Sequence, residues 1–164
     1  MLIKDVSEIA LVNGQKSLAD AVSVGSAAER NIPIMLSDNN NEVPQGKEFI
    51  EFEVISKRYI IEVENSVGKE PEIQVPNIQR HAGPDRNETN AKIIENFYPT
   101  KELNNAYVVK NGIAKYDDLI GALVVGVLGA KNNSPVVTVV QNLSNGLKPV
   151  LLSKCLLYNK SRWK

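Results

Sequence analysis

Arg80 and Arg86 stand six residues apart, on either side of a Gly83-Pro84 pair. Two guanidinium groups held across such a turn can converge on one phosphate or carboxylate, which the planar donor fork of arginine grips bidentately. Arg86 falls in the first turn of a helix-like stretch, where helix-end amides would add to its pull on an anion. Thr89 adds a hydroxyl on the same helix. Each arginine suits an ion pair equally well: Arg86 with Asp85, Glu88 or a neighbouring module, Arg80 as a bridge between modules. Asp20 leads another helix-like stretch, where N-terminal capping is its ordinary role; as a site residue it would orient an arginine rather than touch an anion.

Other chemistry finds little footing. His81 is the one histidine and Cys155 the one thiol, and a nucleophile–base pair would need a partner that the sequence does not reveal. A lone cysteine forms no intrachain disulfide and no zinc cluster of the usual spacing. Gly121, Gly126 and Gly129 miss the dinucleotide fingerprint, and the "VGKEP" stretch lacks the leading glycine and the hydroxyl residue of a phosphate loop. Asn87-Glu88-Thr89 spells a glycosylation sequon but opens a helix, and it is assigned no role.

The elements that must position these residues are written in the pattern. Asp85 at the N-cap with Glu88 at N3 forms a capping box, so a helix begins at Arg86, with Ala91, Ile93, Ile94 and Phe97 as its apolar stripe. A repeat surrounds it: Asn13 to Leu36 and Asn111 to Val137 share an Asn-Gly start, a small-residue middle and an Asn-X-Pro-apolar end. Ala21 and Gly25 answer to Ala122 and Gly126, and Pro33 to Pro135 after one inserted residue. Short apolar runs precede the copies (Ile9–Val12, Ala106–Val109) and follow them, with the length and β-branching of buried strands. Strand, helix and parallel strand make a βαβ crossover, and the fold class is α/β with Rossmann-like layering. A further strand is expected at Arg58–Val63, after the alternating run from Glu48. Pro71 and Pro76 mark a connector, and a module boundary falls near Pro76 and Asn77.

The series Arg80-x-x-Gly83-x-Asp85-Arg86-x-x-Thr89, followed by helix, strand, Asn-Gly turn, small-residue helix and "NNSPVV", resembles the clostridial type 2 cell-wall-binding repeat of S-layer and other Gram-positive surface proteins. The resemblance is out of phase with the chain: residues 8–77 look like the later part of one repeat, 78–150 like the first part of the next, and 151–164 like a degenerate or truncated tail. It implies a non-catalytic, cofactor-free module. Such modules act in sets of three and hold an anionic wall polymer, a teichoic-acid-like or secondary wall polysaccharide. Arg80, Arg86, Thr89 and Asp20 are then the ligand-binding candidates, no metal is called for, and the protein is secreted to the cell wall. Two departures stand out. Asp20-Ala21-Val22 matches an Asp-Ala-Leu-like family element that becomes Gly121-Ala122-Leu123 in the second copy, and Ile60-Ile61-Glu62-Val63 replaces a usual Ile-Ile-Gly-Gly.

Composition sets the outer limits. Nineteen basic residues balance nineteen acidic ones, so no global field draws the chain to nucleic acid or an anionic membrane. The uncharged stretch Leu119–Ala130 is far shorter than the roughly 20 residues that cross a bilayer, and it is read as buried in protein. The opening "MLIKDVSEIALVNG" mixes charge too closely with apolar residues for a signal peptide, so the chain is either cytoplasmic or an internal piece of an exported one. Two other readings stay open: a cytoplasmic Rossmann-like domain for a small phosphorylated ligand, and a module whose polar set serves only assembly with other repeats, or self-association through exposed edges.

Overall fold

A computed structural model describes residues 6–15, 18–27, 31–37, 55–63, 77–99, 103–115 and 117–154. The expected connector around Pro71, the run from Glu48 to Val54, and the tail from Cys155 lie outside these residues.

The first unit is β1 (Glu8–Asn13), α1 (Leu18–Gly25) and β2 (Ile34–Ser37), followed by β3 (Lys57–Val63) and β4 (Ile78–Gly83). These strands form one parallel sheet in the order β2-β1-β3-β4. β1 is central and has a neighbour on each edge. It therefore reads as an unbroken apolar run, because a parallel strand is covered on both faces. On one face Ala10, Val12, Tyr59 and Ile61 pack with Val24, Ile93 and Phe97 from the helices; on the other, Ile9, Leu11 and Ile60 pack with Val6 and Ile55.

The second unit runs α2 (Arg86–Phe97), β5 (Tyr107–Lys110), α3 (Asp118–Lys131), β6 (Val136–Val139) and α4 (Leu147–Lys154). β5 and β6 make a separate parallel pair. β4, the opening strand of residues 78–150, is hydrogen-bonded to β3 in the first sheet. Sequence repeat and sheet membership therefore divide the chain at different places.

The repeat extends to individual hydrogen bonds. Ala10 N donates to Pro33 O and Tyr107 N to Pro135 O, both at 2.9 Å. Asn31 and Asn133, each two residues before its proline, have left-handed φ of 53° and 46°, a conformation that asparagine tolerates better than most residues. Asn13 Oδ1 accepts from Gln15 N at 3.0 Å and Asn111 Oδ1 from Ile113 N at 3.1 Å, so both Asn-Gly starts are Asx turns.

The repeated helices also pack on each other. α3 lays Ala122 and Gly126 against Val22 of α1. At Gly129 an added Cβ would stand 2.7 Å from Ser134 O and 3.0 Å from Ser26 Cβ, so only glycine allows this approach. The expectation that Leu119–Ala130 is buried holds for one face alone. Leu119, Ala122, Gly126 and Gly129 are covered, while Ile120, Leu123, Val124, Val127 and Leu128 are exposed.

Beside these apolar contacts, a polar seam joins the two sheets. In β6 the groups facing β5 include Pro135 O and Val139 O, so Val136 and Thr138 point their backbone groups to the open edge. There Asn90 of α2 supplies what a further strand would: its Nδ2 donates to Val136 O at 2.8 Å and its Oδ1 accepts from Thr138 N at 3.0 Å. Nδ2 also donates to Ser23 Oγ of α1 at 3.0 Å. Ser26 Oγ accepts from Val136 N at 3.3 Å and from the Tyr98 hydroxyl at 2.9 Å. Asn90, Ser23 and Ser26 are all buried, where an unmet amide or carbonyl costs about 1–3 kcal/mol. Asn90→Leu strands Val136 O and Thr138 N at once, and urea unfolding of that variant is expected to show a loss of about 2–4 kcal/mol; a loss below about 1 kcal/mol would show that the seam does not depend on this amide.

Candidate functional site

The Arg80-to-Thr89 series folds into the junction of β4 with α2. Asp85, extended at φ −144°, caps α2 by accepting from Asn87 N at 2.8 Å and Glu88 N at 3.0 Å. The helix start at Arg86 is as read from the pattern, but the box is half formed. Glu88 Oε1 accepts instead from Gly146 N at 3.1 Å, tying α2 to the entrance of α4. Because Asp85 takes these first amides itself, an anion here would meet guanidinium groups rather than free helix-end N–H groups.

Thr89 is fully buried and serves the backbone. Along β3 and β4, Arg58 N donates to Asn77 O; two-residue alternation then makes Gly83 N to Glu62 O the final rung of the ladder. Thr89 Oγ1 bridges the two groups of that rung, accepting from Gly83 N at 3.0 Å and donating to Glu62 O at 2.9 Å. This bridge brings α2 onto the strand end so closely that a Cβ on Gly83 would lie 2.5 Å from Thr89 N. The glycine and the threonine of the motif thus require each other.

Arg80 forms an ion pair with Glu62, whose side chain is fully buried while that of Arg80 keeps 28% exposure. Glu62 stands where the resembling family usually has glycine, and a buried carboxylate there needs a cation beside it. Burial lowers the pKa of Arg80 from its ordinary value. Arg86, half-buried, donates from Nη1 to Asn111 O at 3.2 Å, and Asn111 Nδ2 donates to Asn87 Oδ1 at 3.2 Å. The N-terminus of α2 is thereby fixed to the Asn-Gly turn after β5. Arg80, Arg86 and Thr89 gather at one junction of the two sheets. Asp20 belongs to α1, fully buried in the third position of the helix rather than at its N-cap.

His81 points to the face opposite Arg80 and lies among aromatic rings, 5.6 Å from Tyr59 in a stack and 5.6 Å from Phe97 edge-on. Its pKa is lowered by burial first, then by the charges of Lys57 and Lys92. Among the described residues no group of three or more His, Cys, Asp or Glu side chains could hold a metal ion, and no helix among them is long and apolar enough to cross a membrane.

Pattern reading missed Glu62 and Asn90. For Glu62 a signal existed, an acid set inside the apolar run "YIIEV"; for Asn90 there was none, since a polar helix residue looks the same whether it faces water or a strand edge.

Residues 80–158, just under half of the chain, match the family model described as Cell wall binding domain 2 (CWB2). Among solved structures the chain is similar to Cwp6 from Clostridium difficile, at 30% identity and a TM-score of 0.76 over 90% of this chain and 24% of that one. It is also similar to Cwp8 from Clostridium difficile, at 28% identity and a TM-score of 0.76 over 93% of this chain and 26% of that one. The chain thus spans about a quarter of either neighbour's length. No curated protein matches it in sequence.

Two outcomes follow from the junction. Thr89→Val keeps the shape and deletes both hydroxyl bonds, so chemical denaturation should show a loss of about 1–3 kcal/mol; unchanged stability would mean that Gly83 N and Glu62 O pair without it. For His81 the folded state holds its proton less tightly than the unfolded chain. The unfolded chain therefore binds more protons below the ordinary value of 6.5, and stability, complete above that value, falls as the pH drops through the lowered folded value. His81→Leu should flatten this part of the curve; an equally steep acid loss in the variant would assign it to other groups.

Proposed function

We propose that this chain anchors non-covalently and without catalysis to an anionic secondary polymer of the cell wall. The observation that carries the reading is that the family match begins at Arg80 and takes in Arg86, two cations on one junction, each keeping part of its side chain at the surface. In this reading the guanidinium groups meet the polymer, while Thr89 fixes the helix that carries Arg86, and Asp20 supports the assembly from the interior. Balanced overall charge makes the interaction local, so it weakens with salt as exposed charge pairs do.

A second reading has its own support. Arg80 reaches Glu62 and Arg86 reaches Asn111 within the chain, contacts that join β3 to β4 and α2 to β5. The same arginines would then serve assembly, and polymer contact would fall elsewhere.

Co-sedimentation with Gram-positive walls, intact and stripped of anionic polymer, separates the two. Polymer anchoring predicts pelleting that requires the polymer, declines along a salt series, and drops several-fold for Arg86→Glu at unchanged unfolding free energy. Pelleting that survives both stripping and Arg86→Glu would overturn the polymer reading, and destabilisation of Arg86→Glu without loss of binding would favour assembly.

A further inference from the structure

The two Asn-Gly pairs that open the repeats have a counterpart outside them, Asn145-Gly146 at the entrance of α4. Such a pair is little hindered against ring closure, because glycine has no Cβ to keep its nitrogen from the asparagine side-chain carbonyl. The setting decides whether the ring forms. Asn13 is fully buried, its Oδ1 accepts from Gln15 N at 3.0 Å, and Gly14 N donates to Ser37 O at 2.9 Å. Asn111, also buried, is held at both ends of its amide, by Ile113 N and by Asn87 Oδ1, and Leu119 lies over Gly112. Both side chains are fixed in place and shut off from water.

Asn145 differs on each count. It is exposed, and its side chain makes no hydrogen bond among the described residues. The N–H of Gly146 meets a carboxylate, donating to Glu88 Oε1 at 3.1 Å; a carboxylate can act as a base, which the carbonyl facing Gly14 N cannot. The proton leaves in the plane of the peptide group while the side-chain carbon approaches across that plane, so base and electrophile do not compete for space.

We propose that Asn145-Gly146 is a site of spontaneous covalent modification, deamidation to aspartate and isoaspartate, and that the change unties α4 from α2. Gly146 N gives its proton to Glu88 and bonds to Asn145 Cγ. The bond from Cγ to Nδ2 breaks, and the departing nitrogen takes the proton from Glu88 and leaves as ammonia, closing a cyclic imide. Water then opens the imide. Cleavage of the new bond leaves aspartate; cleavage of the original peptide bond leaves isoaspartate, whose main chain is lengthened through the side chain. Either product sets a second negative charge near Glu88, where like charges repel. The lengthened chain also displaces Gly146, which has no slack: an added Cβ there would run into the carboxylate of Glu88. The proposal is independent of which wall component the chain binds.

Peptide mapping by mass spectrometry tests it, on the whole chain aged at mildly alkaline pH, folded and in urea. In the folded chain Asn145 is expected to convert about tenfold or more faster than Asn13 and Asn111, which react only through local opening; in urea the three should convert alike. Glu88→Gln keeps an acceptor for Gly146 N but removes the base, and should slow conversion of Asn145 several-fold. The aged fraction, separated by ion exchange, should melt below the fresh protein, and Asn145→Ser should abolish that drop. An Asn145 that stays intact in the folded chain while the urea-treated chain converts overturns the proposal, as does an Asn13 or Asn111 that keeps pace with it. Conversion as fast or faster in Glu88→Gln overturns the role of the carboxylate, and an aged fraction that melts with the fresh protein overturns the untying of α4.

Discussion

One side-chain amide closes the open edge of the second sheet and ties it to the first unit. Among the described residues β6 has β5 on one edge and no strand on the other, and an unmet strand edge inside a protein is costly. Asn90 reproduces the hydrogen-bonding pattern of a peptide group, donating to Val136 O and accepting from Thr138 N. Ser26 extends the substitution to Val136 N. Because Asn90 stands on α2 and Ser26 beside α1, the open edge of the second sheet is closed by helices that pack on the first. The arrangement also accounts for the small residues of the repeat: α1 and α3 must approach closely for Ser26 to reach the strand, and Gly129 permits it.

The same α2 carries Arg86 and Thr89 of the Arg80-to-Thr89 series, so its placement sets the junction. Three devices fix its N-terminus: the Asp85 cap, the Thr89 hydroxyl bonded to Gly83 N and Glu62 O at the end of β3–β4, and the Arg86 bond to the turn after β5. Its C-terminus is held by Lys154, whose ammonium donates to Tyr98 O at 2.6 Å and Glu95 O at 3.3 Å. A cation there also faces the negative end of the helix dipole. With both ends pinned, the helix holds Arg86 against the turn after β5, while Arg80 is fixed separately on Glu62.

Much of this was legible in the sequence where local rules govern. β1 and β6 stand out because strands covered on both faces are runs of apolar residues, and α2 because Asp85 stops the chain before a helical stripe. The repeat gave away the parallel topology, while the left-handed φ of Asn31 and Asn133 emerged only in the structure. Illegible were features that depend on register between distant segments. The Glu62–Arg80 pair needs the alignment of β3 with β4, and Glu88 abandons its local capping role for Gly146, fifty-eight positions away. The fate of α3 was hidden for a different reason: a helix apolar all round has no periodic signal to say which side is covered.

The account turns on the two sheets behaving as one cooperative body through the Asn90 seam. Native-state hydrogen exchange at the Thr138 amide, compared with the Ile60 and Ile61 amides of β3, tests that directly. The account predicts that all three exchange through the same opening, with equal free energies and the same denaturant dependence. Exchange of Thr138 through a separate, lower-energy opening would contradict it, since β5 and β6 would then detach while the first sheet stays folded.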